Sequence, residues 1–547
     1  MMNWFPLRNY THYSLLKGYS KPNELVAKCA KNGYKACGIA DYKSISGAVT
    51  FFQACLKHNI KPIIGVSFDT FSLFAKNKDG WFDLIRVVSS ISEDGNPDAS
   101  ILQDACRTGN LFAVSNNVAN SPIQGDDFYL TTDCLPTTYY TDKKDADLHR
   151  IILCSGMKTT LPKVQAQLRS GEMFDNQVFF ECDDFYLRDN KEINEVLMND
   201  PDSLKVLEEI FDKCEEYNIL NKPMLPTFPT PNGESEEEHL KELCREGWRS
   251  LLARKNKVKD QESKDKYHHQ FLHEFSVIEE AKLFGYFLIV RDIVQFVEKN
   301  GWISGPGRGS AAGCLISYMI GITKIDPIEF DLLFERFYNS GRNTGDHISL
   351  PDIDMDVPGN KRDDIIDYLK ETYGHGNVSQ MLTFGRLQGR SALKEVLRVS
   401  GACGFGLMNE MTKSIPNEAD ISDQLAAMDD EDRSIIKWAL INNDKELRDY
   451  CHINDSGELQ GDYSEYFKQA IEIEGTFKTQ GKHAAGVVIS KEELNLVCPM
   501  VNQRSSDEKI AGLEMADLEA LGHVKFDVLG INLLDKLMKI KELINGE

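Results

Sequence analysis

The segment SLPDIDMDVPGNKRDD places an aspartate at every second position, at Asp352, Asp354 and Asp356. Successive side chains of a β-strand point to opposite faces, so in a strand these carboxylates would share one face, roughly 6.6 Å apart. Like charges at that spacing repel each other unless a cation lies between them or one is protonated. The run therefore indicates a metal ion, a basic partner or solvent, while Ile353 and Met355 indicate a buried opposite face.

A calcium loop of the EF-hand type also begins with alternating acids, but it needs glycine at its sixth position and glutamate at its twelfth. Counted from Asp352, those positions hold Val357 and Asp363, so the sequence excludes that loop. A strand with one apolar face and one acidic face is what we expect of a Mg²⁺ site on a sheet.

A more isolated acid, Asp527, interrupts the apolar stretch HVKFDVLGI, and Lys525 would share its strand face. Burying a lone carboxylate is costly unless it is paired or binds a metal, and pairing is the commoner explanation. Two carboxylates from one strand and a third from another could instead hold two Mg²⁺ ions roughly 3.5–4 Å apart, an arrangement used for in-line phosphoryl transfer.

The glycine-rich sequence GPGRGS (305–310) stands directly before the apolar run AAGCLISYMI, which we predict to be a buried helix. Glycines let backbone amides approach a ligand, and a helix start adds unpaired N–H groups and the positive end of the dipole. Such a turn suits phosphate, although a glycine-rich turn is more often only a tight turn. Neither the Walker spacing nor the dinucleotide fingerprint is present.

Four basic residues at four-residue steps predict a positive stripe along one helix: Arg386, Arg390, Lys394 and Arg398. A solvated helix face is the usual explanation of such a stripe. Glu395 is the only acid in the stretch GRLQGRSALKEVLR, so we expect the stripe not to be neutralised locally. Contact with a phosphate backbone is therefore the second interpretation.

The elements that must position these residues follow a coarse pattern. Up to about residue 220, short apolar runs alternate with helical patterns, which predicts parallel strands with helices outside them, in a barrel or an open sheet. A proline-rich stretch at 221–239 indicates a domain boundary. Residues 402–465 are polar and helical in pattern, which indicates an exposed subdomain inserted between two pieces of a core.

The bulk composition limits the classes of protein. A chain of 547 residues is too long for one core, so we expect three or more domains. The net charge of −23 disfavours a general nucleic-acid coat, but not an enzyme whose basic residues line one cleft. No run is long enough to span a membrane, and the first residues lack the pattern of a signal peptide. The thirteen cysteines form no CxxC pair, and we expect a cytoplasmic protein.

Six ordered motifs resemble the alpha subunit of bacterial DNA polymerase III, the C family of replicative polymerases: GWISGPGRGSAAG, IDPIEFDLLFERFYN, SLPDIDMD, TFGRLQGRSALKEVLR, GKHAAGVVIS and VKFDVLG. The resemblance covers nearly the whole chain. It implies an α/β and α+β multidomain protein, with a PHP domain built as a distorted β/α barrel in residues 1–222. A nucleotidyltransferase palm related to polymerase beta would follow in 223–401 and 466–547, interrupted by a helical thumb in 402–465.

The resemblance also implies roles for the acids. Asp352, Asp354 and Asp527 match the aspartates that bind two Mg²⁺ ions at the palm, and Asp356 matches a variable acid that supports the site without binding metal. The implied activity is template-directed DNA synthesis on a primer–template, by transfer of a nucleotidyl group from a dNTP to the primer 3′-hydroxyl.

Further residues match the nucleotide site of the family. Gly309 and Ser310 match the turn that meets the incoming triphosphate, and Arg336 and Lys525 match basic residues near it. The stripe from Arg386 to Arg398 would then contact DNA.

The PHP part departs from the family at its metal ligands. Substituted positions are Arg8 and Tyr10 in place of a His-x-His pair, Tyr42 in place of histidine, Ser67 in place of an acid, and NNVA in place of Asn-Asp-x-His. His12 and His149 remain, but a lone histidine is usually structural. We therefore predict no metal and no proofreading activity in this domain, and a stand-alone PHP phosphoesterase is disfavoured.

Family members continue for several hundred residues beyond the third aspartate, with fingers, tandem helix-hairpin-helix, a clamp-binding peptide and an OB-fold. We therefore expect a second polypeptide to carry the fingers and to contact the sliding clamp. The loop YNSGRNTGDHISLPDID and the compact PHP part resemble phage-encoded versions. The alternative is an inactive DNA-binding or regulatory remnant, and the retention of all three acids favours the catalytic interpretation.

Overall fold

The computed structural model describes residues 4–131, 136–199, 201–253, 260–339, 341, 350–429, 432–503 and 506–545. Most of the loop singled out between Tyr338 and Asp354 lies outside the described residues. The chain divides into two compact units, of which unit 1 comprises Met1–Ile219 and Phe384–Gly481, and unit 2 comprises Leu220–Thr383 and Lys482–Glu547. None of the described helices combines the length and the apolarity needed to cross a bilayer.

One sheet belongs to unit 1. It has the order β1 (Ala36–Tyr42), β2 (Lys61–Ser67), β3 (Phe71–Ala75), β4 (Leu111–Ser115) and β5 (Phe128–Leu130). The pairs β1–β2 and β4–β5 are parallel, whereas β3 runs antiparallel to both of its neighbours. The helix-then-strand pattern predicted parallel strands, and β1 and β2 are parallel.

A six-stranded sheet carries the acidic segments. Its strands are β6 (Asp354–Pro358), β7 (Val378–Arg386), β10 (Phe477–Ile489), β11 (Met500–Gln503), β12 (Ser506–Ala511) and β13 (Val524–Ile531), and their spatial order is β11-β12-β7-β10-β13-β6. A separate hairpin is formed by β8 (His452–Ile453) and β9 (Leu459–Gln460). In the larger sheet, β6 lies at one edge and pairs in parallel with β13.

The helices before the acidic run fall into two sets. Those of unit 1 are α1 (Pro22–Lys31), α2 (Ala48–His58), α3 (Lys78–Ser89), α4 (Ala99–Arg107), α5 (Ala146–Gly156), α6 (Leu161–Ser170), α7 (Gln177–Glu181), α8 (Asn190–Asn199) and α9 (Pro201–Lys213). Those of unit 2 are α10 (Glu236–Gly247), α11 (Gln261–Glu280), α12 (Phe284–Lys299), α13 (Leu315–Met319) and α14 (Phe334–Phe337), with α15 (Arg362–Tyr373) following the run.

The later helices again fall into two sets. Unit 1 resumes with α16 (Arg390–Ser400), α17 (Phe405–Thr412), α18 (Ser422–Ala426), α19 (Ile435–Asn442), α20 (Asp444–Leu447) and α21 (Ser464–Ile473). Unit 2 continues with α22 (Leu494–Val497), α23 (Met515–Ala520) and α24 (Asn532–Asn545). This division puts 384–401 and 466–481, which the resemblance assigns to the palm, in unit 1 together with 402–465.

Local sequence explains where α10 begins. The hydroxyl of Ser235 accepts a hydrogen bond from the Glu238 N–H at 3.2 Å, and the Glu238 carboxylate accepts one from the Ser235 N–H at 3.1 Å. This reciprocal pair is a capping box, which satisfies two backbone donors that the helix itself leaves unpaired. The helix therefore begins at Glu236, within the stretch 221–239 that indicated a boundary and after the last of its prolines.

The core of unit 2 lies against the inner face of the acidic strand. Ile353, Met355 and Val357 are all buried, and they pack in one cluster with α12 and with Phe526 and Val528 of β13. Removing each such side chain from water contributes roughly 1.5–3 kcal/mol. The alternation of apolar and acidic residues therefore fixes which face of β6 carries the carboxylates.

In unit 1, Asp41 lies at the position next to the substituted family ligand. Its buried carboxylate accepts hydrogen bonds from the Thr11 N–H at 2.7 Å, the Thr11 hydroxyl at 2.8 Å and the Ser14 hydroxyl at 2.6 Å. Burial raises the pKa of Asp41 to about 6, although these hydrogen bonds oppose the change. The described contacts of Asp41 are thus those of a structural acid, and the absence of a metal here stays a prediction.

Two buried histidines of unit 1 predict a loss of stability in acid. Burial lowers the pKa of His12 to about 3 and that of His149, whose Nε2 lies 2.7 Å from the Lys17 carbonyl oxygen, to about 4. The unfolded chain takes up protons at both as the pH falls below 6.5, whereas the folded chain does not. Each histidine should therefore lower the free energy of unfolding by about 2 kcal/mol between pH 7.5 and 5.

Urea unfolding of His149→Gln measures this effect. The variant should lose about 2 kcal/mol less than the unaltered chain between the two pH values. Asp41 acts in the opposite direction in both proteins, so the comparison cancels its contribution. His58→Gln, at the partly exposed end of α2, is the matched control and should follow the unaltered chain. Equal acid sensitivity in His149→Gln and the unaltered chain would contradict the prediction.

Candidate active site

Three carboxylates meet at the edge formed by β6 and β13. The parallel register of the two strands places Asp354 directly beside Asp527, and Asp352 stands two residues before β6 begins. One carboxylate oxygen of each residue lies within 4.8 Å of the others. Neighbouring strands lie only about 4.8 Å apart, so two acids in register are forced close together. Among the described residues, no other group of acids, histidines and cysteines has this geometry.

Lys525 pairs with only one oxygen of Asp527. Its ammonium lies 2.5 Å from Asp527 Oδ2, and the two side chains are 12% and 8% exposed. The other oxygen of Asp527, Oδ1, is buried and accepts no hydrogen bond from any described residue. The ion pair between Lys525 and Asp527 is therefore present, but it leaves Asp527 Oδ1 without a hydrogen bond from the described residues. Asp352 and Asp354 are the neighbouring acids.

The balance of charge in this group is negative. Burial raises the pKa of Asp352, the neighbouring carboxylates of Asp527 and Asp354 raise it further, and Lys525 opposes them. Three carboxylates share one lysine, so the group is short of positive charge. Oxygen ligands of this kind are those that Mg²⁺ prefers, and the residues present therefore fit a divalent cation.

A buried tyrosine fixes the segment that carries Asp352. The Tyr286 hydroxyl of α12 accepts a hydrogen bond from the Ile353 N–H at 3.2 Å. The Tyr286 ring also stacks on Phe526 of β13, with 5.3 Å between the ring centroids. The Tyr286 side chain thus contacts both segments that carry the acids. Burial raises the pKa of Tyr286, so its hydroxyl stays protonated.

The glycine-rich segment lies directly against β6. The Gly305 N–H donates to the Asp356 carbonyl oxygen at 2.9 Å, and a Cβ added at Gly305 would lie 2.5 Å from the Asp356 Cβ. Only glycine permits that approach. Gly307 and Gly309 have φ angles of +106° and +58°, in the left-handed region that favours glycine. Gly309 and Ser310 are exposed.

The predicted buried helix AAGCLISYMI is wrong as one element. The structure contains a 3₁₀ turn over Gly309–Gly313 and then the five-residue helix α13. The buried Glu274 of α11 accepts hydrogen bonds from the Leu315 and Ile316 N–H groups, both at 3.0 Å, and so starts a new helix. Burial of this segment is confirmed for residues 311–319, but no long helix dipole points at the glycines.

Sequence reasoning missed Arg308 as a site residue. Its Nε lies 3.2 Å from Asp356 Oδ1, and the side chains are 44% and 16% exposed. A signal was present, because Arg308 is the one charged residue of GPGRGS and Asp356 is the acid left over from the run. Arg336, in contrast, was predicted. It lies on α14 with an exposed side chain, and no described contact joins it to the acids.

The four basic residues belong to unit 1, but the prediction of a stripe along one helix is wrong for Arg386, which ends β7, whereas the other three lie on α16. Arg398 forms an ion pair with Glu395, contrary to the expectation that no acid neutralises the stripe. Arg390 donates from Nε to the Ile415 carbonyl oxygen at 3.1 Å, and Lys394 donates to the Asn409 side chain at 2.8 Å. The side chains at three of the positions still line one pocket: Arg386, Arg390 and Lys394.

Comparison with known proteins bears on this site. Residues 238–530, more than half of the chain, match the family described as the bacterial DNA polymerase III alpha NTPase domain. The chain belongs to this family. Residues 6–121 match the PHP domain, so the DNA polymerase III alpha resemblance and a mixed α/β multidomain fold with these two domains are confirmed.

Curated relatives of this family match nearly the full length of the chain. They include DNA polymerase III subunit alpha of Bacillus subtilis, 29% identical over 100% of this chain and 50% of the relative. The same subunit of Buchnera aphidicola is 28% identical over 98% and 49%, and that of Aquifex aeolicus is 28% identical over 98% and 52%. The chain thus spans about half the length of the curated relatives it matches.

Proposed function

We propose that this chain is the palm-bearing part of a C-family replicative DNA polymerase. It would transfer a nucleotidyl group from a dNTP to the 3′-hydroxyl of a primer, as the template directs. The observation that carries the proposal is the meeting of Asp352, Asp354 and Asp527 at the β6–β13 edge, with one carboxylate oxygen left unsatisfied.

The same three aspartates would hold two Mg²⁺ ions. When bound, the ions would supply Lewis-acid activation of the primer hydroxyl and stabilisation of the departing pyrophosphate. The chain's own contribution is to fix the three carboxylates on adjacent strands, so that little reorganisation accompanies the reaction. Lys525 holds Asp527 in place from the side and limits the negative charge of the group.

We assign the nucleotide and DNA contacts to the basic and glycine-rich residues. Gly309, Ser310, Arg336 and Lys525 would meet the triphosphate of the incoming dNTP. The residues Arg386, Arg390, Lys394 and Arg398 would contact the backbone of the primer–template. The pocket that the first three of these basic residues line supports this assignment.

The domain roles follow the family. Residues 1–222 would form a PHP-like domain without metal, 223–401 and 466–547 the palm, and 402–465 the thumb. A second polypeptide would carry the fingers and the C-terminal domains, and it would contact the sliding clamp.

Primer extension with Mg²⁺ and four dNTPs tests the proposal, with and without the candidate second polypeptide. The unaltered chain should extend the primer, and Asp352→Asn should lower the rate by roughly 100-fold or more, because a developing charge loses its stabilisation. Asp367→Asn, an exposed acid of α15, is the matched control and should extend normally. Equal extension by Asp352→Asn would remove the catalytic role, and no extension under any condition would favour an inactive remnant.

A further inference from the structure

The carboxylate of Asp356 forms an ion pair with an arginine of the glycine-rich segment. It does not belong to the group formed by Asp352, Asp354 and Asp527. Arg308 Nε lies 3.2 Å from Asp356 Oδ1. The register of the sheet places Asp356 beside Leu529, two residues further along β6 than the Asp354–Asp527 pair. The close group of carboxylates among the described residues accordingly contains the other three acids and not Asp356.

Two backbone features hold Arg308 at this place. Gly305 lies against Asp356 through its N–H hydrogen bond and through the absence of a Cβ. The Pro306 carbonyl oxygen accepts a hydrogen bond from the Lys324 N–H at 2.7 Å. The backbone just before Arg308 is therefore held by two hydrogen bonds, and the Arg308 side chain forms an ion pair with Asp356.

The remainder of the Arg308 guanidinium is available to a ligand. Its side chain is 44% exposed, and the described residues offer its two terminal nitrogens no hydrogen bond or ion pair. Guanidinium presents five N–H donors in a planar fork that matches phosphate oxygens, and only the Nε atom of Arg308 lies within ion-pair distance of Asp356. Gly309 and Ser310, which follow directly, are exposed as well.

We propose that Arg308 binds the triphosphate of the incoming nucleotide and that Asp356 is the residue that positions Arg308. The inference rests on the proposed function and deepens it. A triphosphate brings several negative charges to a site that already contains three carboxylates, and Lys525 is engaged with Asp527. Arg308 supplies an exposed cation at the glycine turn, and its charge-assisted hydrogen bonds to phosphate are among the stronger ones in proteins.

Equilibrium binding of a dNTP tests the inference without requiring turnover. A primer–template ending in a dideoxynucleotide is mixed with the full chain, Mg²⁺ and a fluorescent dNTP, and the Kd of the dNTP is measured. Arg308→Gln should raise that Kd roughly tenfold or more, and Arg308→Lys by less, since it keeps the charge but loses the fork. Asp356→Asn should raise it about threefold, because a mobile Arg308 binds less well.

The double variant identifies Asp356 as a positioning residue. Since Asp356 acts through Arg308, the double variant should bind the dNTP no worse than Arg308→Gln alone. The affinity for Mn²⁺ and the urea concentration at the unfolding midpoint should stay unchanged in all these variants. If Arg308 and Asp356 had only a structural role, their replacement would instead lower the urea midpoint. Arg249→Gln, an arginine of unit 2 that is 72% exposed, is the matched control and should bind normally.

Each contrary result has its own meaning. An unchanged Kd in Arg308→Gln would overturn the inference while leaving the proposed function intact. Loss of Mn²⁺ binding in Asp356→Asn would make Asp356 a metal ligand and would overturn the positioning role, as would a double variant whose effects simply add. No dNTP binding by the unaltered chain, with or without the second polypeptide, would overturn the inference and the proposed function together.

Discussion

Replacing Asp527 with asparagine is expected to weaken Mn²⁺ binding by roughly 100-fold or more. Two unit charges about 4 Å apart have an interaction energy of about 4 kcal/mol at the effective dielectric of a partly buried site. The interaction of a carboxylate with a divalent ion is at least as strong. Asparagine has the shape of aspartate but no charge, so Lys525 would also stand beside the ion site without the carboxylate that now pairs with it. Electron paramagnetic resonance of Mn²⁺ gives the affinity directly and needs no primer extension.

The control for this experiment is Asp367→Asn, which removes one exposed carboxylate of the same unit. It should change the affinity for Mn²⁺ by less than about twofold, because exposed charges far from the ion are screened. If Asp527→Asn bound Mn²⁺ as tightly as this control, the three carboxylates would not form a metal site, and the proposed polymerase chemistry would lose its basis.

Replacing Glu395 with glutamine is expected to lower the free energy of unfolding of unit 1 by about 2 kcal/mol. Glu395 is 5% exposed, and its carboxylate pairs with Arg398 and, at 2.8 Å, with Lys478. Breaking a buried pair costs about 3–5 kcal/mol, but both basic side chains are more than one-third exposed and recover part of their hydration. Urea unfolding at neutral pH measures the loss.

The pH dependence of this effect identifies its cause. Burial alone would raise the pKa of Glu395, but hydrogen bonds from Arg398 and Lys478 overcome it and lower the pKa to about 2. The stabilisation is thus present above pH 4.5 and is lost as the pH falls toward 2. The difference between Glu395→Gln and the unaltered chain should shrink over that range, whereas Glu446→Gln, an exposed control, should show no difference at any pH. A difference that did not change with pH would point to packing instead.

The acidic face of β6 could be predicted because a strand alternates its side chains. Ile353, Met355 and Val357 are buried, and each follows or precedes an acid, so the local sequence contains the whole pattern. The residues left the grouping of Asp527 with these acids as one of two explanations, and the family resemblance favoured it, since two strands so far apart in the chain leave no local sign of their pairing.

The details that could not be predicted depend on partners distant in sequence. Lys478, which pairs with Glu395 of α16 at 2.8 Å, lies on β10, 83 residues away in sequence. The pair between Arg398 and Glu395, in contrast, is local, and the sequence could have predicted it. The helix expected after the glycine turn is interrupted because Glu274, on α11, attracts the Leu315 and Ile316 amides. Arg308 and Asp356 each carried a local signal, but the sequence did not show that the glycine segment approaches β6 and brings them together.

The pairing of β6 with β13 has a consequence for the synthesis of the protein on the ribosome. Asp354 emerges long before Asp527, and the two become neighbours only after residues through Ile531 have left the exit tunnel. Pairings between segments so distant in sequence form slowly, because a long loop must close before they gain any contact. A nascent chain therefore lacks the complete group of three carboxylates until that point, however well its earlier portions have folded.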